Sequence, residues 1–333
     1  MNHLERFRAL MDFQSVDRLP RVEWASWWDK TIDRWRGEGL PAGLADGFDI
    51  RTHFGLDPYL QAWFTAIGPG YPSTGVHGRG AVASMDDYER VLAHLYPAPE
   101  ARLAPLAARA DAAKRGDLVV WITVDGFFWF ARSLLGIERH LFAFYDQPAL
   151  LHRINRDLAA YHRRVLEAVG KACPPAFMTF AEDMSYNHGP MLSKRLFEEF
   201  LAPYYREVIP LARELGIRVI VDSDGDVTEM VPWLEAAGIE GVLPLERQAG
   251  VDAALLRRRH PRLLMIGHYD KMVMARGKAA MRAEFERLLP AAQAGGFLPS
   301  VDHQTPPGVS LDEYRTYLGL LEEYSVRAAP HAP

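Results

Sequence analysis

Residues 217–246 read IRVIVDSDGDVTEMVPWLEAAGIEGVLPLE, and they contain a complete folding unit. An apolar, β-branched run at 217–223 ends in two acids, Asp222 and Asp224. A helical stretch over 227–237 follows, stopped by Gly238, a residue suited to the position just past a helix. A second apolar run, 240–245, ends in Glu246. Strand, helix and strand in that order form a unit that builds parallel sheets.

The rhythm continues on both sides. Apolar runs at 118–124, 176–181, 262–267 and 297–301 alternate with helical stretches at 147–171, 193–215, 251–259, 277–294 and 310–326. A run at 19–24 brings the strands to seven, and the eighth is expected in the N-terminal elaboration at 41–90. The expected fold is α/β, a (β/α)8 TIM barrel in one domain spanning 1–333. Residues 41–90, rich in Gly and Pro, read as an N-terminal elaboration. Its short strands, PYLQAWFTAI and GRGAVASM, are expected over the barrel mouth. Residues 1–18 and 97–115 read as helices, and the closing RAAPHAP as a frayed tail.

Strand-like runs keep ending in a carboxylate: Glu23, Asp125, Glu182 with Asp183, Asp222 with Asp224, Glu246, Asp270, and Asp302 with His303 beside it. In a barrel of such units the C-terminal strand ends share one face, where catalytic groups sit. Glu182, Asp222, Asp224 and His303 form the leading constellation. Like charges ~4 Å apart cost roughly 1 kcal/mol in water and several times more in a less polar pocket. Such a cluster needs a cation, a shared proton or backbone N–H donors. A divalent metal, zinc or another, held by Glu182, Asp222, Asp224 and His303 is one answer. A shared proton that makes a general acid is another. The competing structural reading makes DSDGD a turn with Asp226 as the cap of the next helix.

Other residues carry paired readings. His303, ahead of the rigid Thr305-Pro306-Pro307, is a ligand or general base, or else a structural partner of Asp302. His188 is a candidate proton donor and Tyr186 a candidate substrate contact. Glu246 faces either the site or Arg247, and His268 lines the pocket. Asp270-Lys271 reads as an ion pair or helix cap. Trp24, Trp27, Trp28, Phe127, Phe128 and Trp129 form either an apolar wall for a flat or methylated ligand or plain core.

Composition bounds the partners. The 333 residues are 49% hydrophobic and carry a net charge of −5, which gives no electrostatic case for nucleic acid or an anionic membrane. No apolar run approaches the ~20 residues that span a bilayer. MNHLERFRALMDF is amphipathic and lacks the apolar core of a signal peptide. Cys173, the single cysteine, excludes an internal disulfide and a multi-thiolate metal site within the chain. A cytoplasmic location is expected.

Several stretches resemble the uroporphyrinogen decarboxylase superfamily: ERFRALMDFQSVDRLP (5–20), FAEDMSYNHGPMLS (180–193), residues 221–246, IGHYDKMVMARGK (266–278) and GGFLPSVDHQTPPGVSLDEY (295–314). The resemblance implies a (β/α)8 barrel and three branches: true decarboxylases, corrinoid-dependent methyltransferases and an uncharacterised branch, which this chain most resembles. Two departures matter. Where the decarboxylases carry an arginine-rich stretch, this chain has RVEWASWWDK (21–30). Where the methyltransferases hold zinc with His-x-Cys and a later Cys, it has Asp222-Ser223-Asp224 and Asp302-His303. Oxygen and nitrogen ligands suit a harder metal than thiolates do. The resemblance thus implies methyl transfer or demethylation of a small methylated molecule, with a corrinoid on a partner protein and a homodimer. The runner-up is a decarboxylase or lyase of an aromatic or tetrapyrrole-like acid, with Asp222 or His303 as proton donor. A non-catalytic binding protein is the third reading, which carboxylates in their ordinary pKa range would favour.

Overall fold

The computed structural model describes residues 1–330 except Ala45 and Ser73. Its strands are β1 (Tyr59–Phe64), β2 (Val119–Asp125), β3 (Phe177–Ala181), β4 (Ser185–Tyr186), β5 (Gly189–Pro190), β6 (Arg218–Asp222), β7 (Gly241–Leu243), β8 (Leu264–Tyr269) and β9 (Phe297–Val301). Seven of them form one parallel sheet in the order β1-β2-β3-β6-β7-β8-β9, and β4 and β5 make a small hairpin. Every residue of β2, β8 and β9 is buried, as expected for a parallel sheet covered on both faces. Helices Pro148–Ala172, Ala202–Glu214, Val231–Ala237, Ala253–Arg259 and Lys278–Gln293 carry the chain back between strands, and Leu311–Arg327 closes the series. The order is that of a TIM-barrel-like α/β fold. Among the described residues, no helix is long and apolar enough to cross a membrane.

Local chemistry sets the element ends. Ser310 Oγ accepts the Glu313 N–H at 3.2 Å while Glu313 accepts the Ser310 N–H at 2.7 Å, so the last helix starts with a capping box. Gly238, at φ +99°, ends Val231–Ala237 in a left-handed turn that feeds β7. The helix expected over 193–215 breaks at Leu201, because Pro203 lacks the N–H that would continue it. The helix expected over 227–237 starts only at Val231, after a turn.

Three expectations from the N-terminal region are corrected. PYLQAWF is not laid over the mouth: it is β1, paired with β2 from Tyr59–Val119 to Phe64–Val124. GRGAVASM forms no strand and makes a single bridge, Arg79 to Gly136. Residues 19–24 form no ladder either. They lie between the two edge strands and are held by side chains. Trp24 Nε1 donates to Val301 O at 2.6 Å, Ser300 Oγ donates to Glu23 at 3.0 Å, and Tyr59 OH donates to Glu23 O at 2.7 Å. Pro20 has no N–H to give a ladder, and Glu23 spends its carboxylate on β9. The tail expected from RAAPHAP is packed as far as it is described: Ala328 and Ala329 are buried and Pro330 O accepts the Val16 N–H. Residues 331–333 lie outside the described residues.

Asp57 fastens residues 18–21 to the start of β1. It takes two bonds from Arg18, at 2.7 and 2.8 Å, and the Arg21 N–H at 3.0 Å. Burial pushes its pKa up, but the bonds from Arg18 and Arg21 outweigh burial and hold the pKa below its usual value. Asp57→Ala strands Arg18 and should cost about 2–4 kcal/mol in urea unfolding. Glu198→Ala, which breaks an exposed pair with Lys194, should cost less than about 1 kcal/mol.

Candidate functional site

A cavity of about 410 Å³ lies at the C-terminal ends of β1, β2, β3 and β6. Its polar side comes from two adjacent strand ends. β3 and β6 pair in register up to Ala181 and Asp222, and the Glu182 N–H donates to Asp222 O at 2.8 Å. Side chains alternate along an extended chain. Ser223 therefore turns inward, fully buried, and its Oγ accepts the Met184 N–H at 3.1 Å. Asp222 and Asp224 turn the other way, into the cavity. Asp183, at φ +40°, brings a third carboxylate to the same wall and accepts the Asp224 N–H at 3.3 Å. Gly225 is required behind them: a Cβ there would come within 2.6 Å of Tyr186 Cα. Asp226 does cap the following turn, through the Thr228 N–H at 2.9 Å, so capping and the cavity acids are separate functions of DSDGD.

The acids lack local relief. Neither Asp222 nor Asp224 accepts a hydrogen bond from a described residue, and His303 Nε2 lies 3.8 Å from Asp224. Burial, then the charges of Asp183 and Asp224, raise the Asp222 pKa well above its usual value. Burial, with Asp183 and Glu246, pushes Asp224 up to about 7, opposed by Lys271. Burial also raises Asp183. Burial and the Lys271 charge lower His303, which favours its neutral form. Lys271 itself is committed elsewhere, 3.2 Å from buried Asp302 and 2.8 Å from Gln248 Oε1. Asp302 also accepts the backbone N–H of Arg247 and Lys271, so its partner is Lys271 rather than His303. Asp270 caps the next turn through Met272 N.

Glu182 sits apart from this cluster. Its carboxylate accepts the N–H of Phe127 at 2.7 Å, Phe128 at 2.8 Å and Trp129 at 3.3 Å, together with the Tyr205 hydroxyl. It closes the N-terminus of helix Phe127–Leu135, where a negative charge is favoured. Gly126 makes room for it, since a Cβ would fall 2.1 Å from Glu182 Cδ. Burial raises its pKa to about 7, against these bonds. Glu182 thereby positions Trp129 on the cavity wall and has no oxygen left for a ligand.

The remaining expected residues divide. Trp24 and Trp129 line the cavity. Trp27 is core, packed on Trp35, Phe54 and Tyr314, and Phe127 is core against Phe180 and Tyr205. Phe128 packs on His140, and Trp28 is exposed ahead of helix Asp29–Gly37. Tyr186 and His188 are exposed on the β4–β5 hairpin, outside the cavity wall. Glu246 accepts the Gly225 N–H at 2.9 Å and supports the acidic turn from behind. His268 is fully buried, with Nδ1 on Leu245 O and Nε2 accepting the Ala253 N–H, so it fixes the β8 turn. Gln61, Trp63, Trp121 and Gln304 line the cavity and were not singled out. Gln61 and Trp63 belong to β1, which the pattern had placed outside the sheet.

The four expected metal ligands do not fit a chelated cation. Glu182 is fully bonded, and among the described residues no three His, Cys, Asp or Glu side chains converge as a ligand set.

The family model for uroporphyrinogen decarboxylase (URO-D) matches residues 84–324, and the chain belongs to this family. No curated protein matches the chain. Among solved structures, it is similar to a methyltransferase from Methanosarcina mazei, with 14% identity over 97% of this chain and 99% of that one and a TM-score of 0.67. It is also similar to the mannanase BCman of Bacillus subtilis, with 9% identity over 93% of this chain and 87% of that one and a TM-score of 0.47. At these identities the likeness is one of fold.

Asp224 keeps its proton up to about pH 7 in the folded chain, whereas an unfolded aspartate loses it near pH ~4. Its burial therefore lowers stability progressively as pH rises through that interval. Asp224→Asn and Asp222→Asn should raise the melting temperature above neutral pH, with the gain shrinking toward pH ~4 in calorimetry. An equal loss at both pH values would show that the two carboxylates hold the fold together.

Proposed function

We propose that this chain is an enzyme that removes a methyl group from a small methylated molecule held in the tryptophan-walled cavity. Asp222 and Asp224 manage the proton on the heteroatom left behind. One observation carries the reading: two cavity carboxylates, at least one with its pKa raised toward neutrality, face indole walls, and among the described residues none gives them a hydrogen bond and no lysine or arginine lines the space. A carboxyl with its pKa near the working pH is suited to proton transfer. A shift of that size also favours chemistry over passive ligand binding.

The step balances as follows. A nucleophilic acceptor takes the methyl carbon, the carbon–heteroatom bond breaks, and its electron pair stays on the heteroatom. That atom takes the proton from Asp224 or Asp222, and solvent later restores it. The family resemblance suggests a reduced corrinoid on a partner protein as acceptor, which supplies a strongly nucleophilic centre. A cavity of about 410 Å³ suits a small molecule, so such a carrier would meet the site at its opening. Glu182 keeps Trp129 in place, and neutral His303 exchanges protons with Asp224. No step is assigned to a metal, because the donor set does not fit one.

Decarboxylation is the second reading. The raised Asp222 pKa also suits protonation of the carbanion left when CO₂ departs. The lack of a lining lysine or arginine counts against a carboxylate-rich substrate.

A panel of methylated amines, ethers and thioethers should be incubated with the protein and chemically reduced cobalamin, and methyl transfer followed by absorbance. One class should react, and Asp222→Asn should lower its rate roughly 100-fold or more. No transfer from any donor, together with CO₂ release from an aromatic acid, would put decarboxylation first.

A further inference from the structure

The hydrogen-bonding character of the cavity is one-sided. Asp183, Asp222 and Asp224 present carboxylate oxygens. Gln61 gives one amide N–H to Thr123 Oγ1 at 2.9 Å, which leaves its oxygen and its second N–H. The indole donors turn away as well: Trp24 Nε1 is spent on Val301 O at 2.6 Å and Trp121 Nε1 on Thr179 Oγ1 at 3.0 Å. The charged groups that remain for a ligand are carboxylates, set among indole faces. Nearby cations are held outside the lining: Lys271 on Asp302, and Arg132 over Trp129 at 5.2 Å with one N–H on Asp183 O. Arg132 shows that the Trp129 indole already accepts a cation on its ring.

We infer that the substrate of this site is a small N-methylated ammonium ion with at least one N–H. The methyl groups lie against the indoles of Trp24, Trp63, Trp121 and Trp129, and the N–H points to Asp222 or Asp224. This rests on the methyl-transfer reading and specifies its heteroatom as nitrogen. A cationic amine leaves as a neutral molecule when the C–N electron pair stays on nitrogen. Sharing one proton, the pair holds the cation through its ionised member before the transfer, and its protonated member gives that proton to the released amine afterwards. An anion meets carboxylates and, among the described residues, no lining lysine or arginine, and a neutral ether leaves the carboxylate pair unrelieved.

Binding to the wild-type protein should be measured by calorimetry with three probes of similar size: N,N-dimethylethanolammonium, its neutral isostere 3-methylbutan-1-ol, and the anion 3-hydroxypropanoate. Above neutral pH the ammonium ion should bind at least about tenfold more tightly than either comparison. Its affinity should fall as pH drops through about 7, because protons then compete for Asp224. The charged and titratable groups that face Asp224 are Asp183, Asp222, Glu246, Lys271, Asp302 and His303. Asp222→Asn should weaken ammonium binding about tenfold, and Trp129→Ala several-fold, in protein shown by circular dichroism to be folded. Equal binding of the neutral isostere, tighter binding of the anion, or affinity unchanged in Asp222→Asn would each overturn the inference. Ammonium binding without methyl transfer would support it while removing the methyl-transfer reading. Methyl transfer from a neutral ether without ammonium binding would overturn it and leave that reading standing.

Discussion

The parallel register between β3 and β6 sets Ala181 beside Asp222, and the chemistry of the cavity depends on that pairing. Two strands that end level with one another, each followed by an acid, bring Asp183 against Asp222 and Asp224. A charge at ~4 Å from another costs little in water and several times more behind protein walls. The fold imposes that repulsion, since Ser223 is locked inward by the Met184 N–H and the alternation of the chain leaves its two neighbours no other direction. Relief can come only from what enters the cavity, a proton in the free protein or a cation in the occupied one.

The chain deals with its other strand-end acids differently, and the contrast identifies the site. Glu23 is bonded to Ser300 and Val301, Glu182 to three helix N–H groups and a phenol, Asp125 to Ala66 N and Thr65, and Asp302 to Lys271 and two backbone N–H groups. Each is a buried carboxylate with a structural partner, the usual state of a buried charge. Asp222 and Asp224, only partly buried and open to the cavity, accept no hydrogen bond from a described residue. A carboxylate kept for structure would gain stability from an N–H donor, so leaving two without one is consistent with a ligand that supplies it.

The regular part of the fold was legible from residue 118 onward, because each apolar run there is bounded by a glycine, proline or acid and followed by a helical period. The N-terminal sixth of the barrel was not. Residues 19–24 are as apolar as a strand, yet they are held by the Ser300 and Tyr59 hydroxyls and the Val301 backbone, which no local pattern reveals. PYLQAWF alternates too weakly, and sits among too many glycines, to declare itself a buried sheet strand. That misplacement hid Gln61 and Trp63. Asp222, Asp224 and His303 were readable from strand-end position alone. Glu182 was not readable as a cap, because the N–H groups it accepts lie more than 50 positions earlier in the chain. Trp27 and Phe127 illustrate the same limit: a cluster of aromatics in sequence does not say which rings meet core and which meet a cavity.

Family membership and cavity chemistry pull in opposite directions, and the disagreement is informative. The resemblance leads one to expect either arginines for substrate carboxylates or thiolates for zinc. The stretch 21–30 offers Glu23 and three tryptophans instead, and the strand-end positions offer aspartates. Of these, Glu23 and Trp27 turn into the barrel wall, while Trp24, Asp222 and Asp224 turn into the cavity. The cavity thus sets three carboxylates among indole faces where the resemblance leads one to expect arginines or thiolates. Here the indole N–H groups of Trp24 and Trp121 are also bonded outward, which removes donors that an anion would need. The coordination of charge, hydrogen-bond polarity and wall chemistry in one 410 Å³ space is what separates a binding site from a strained strand end.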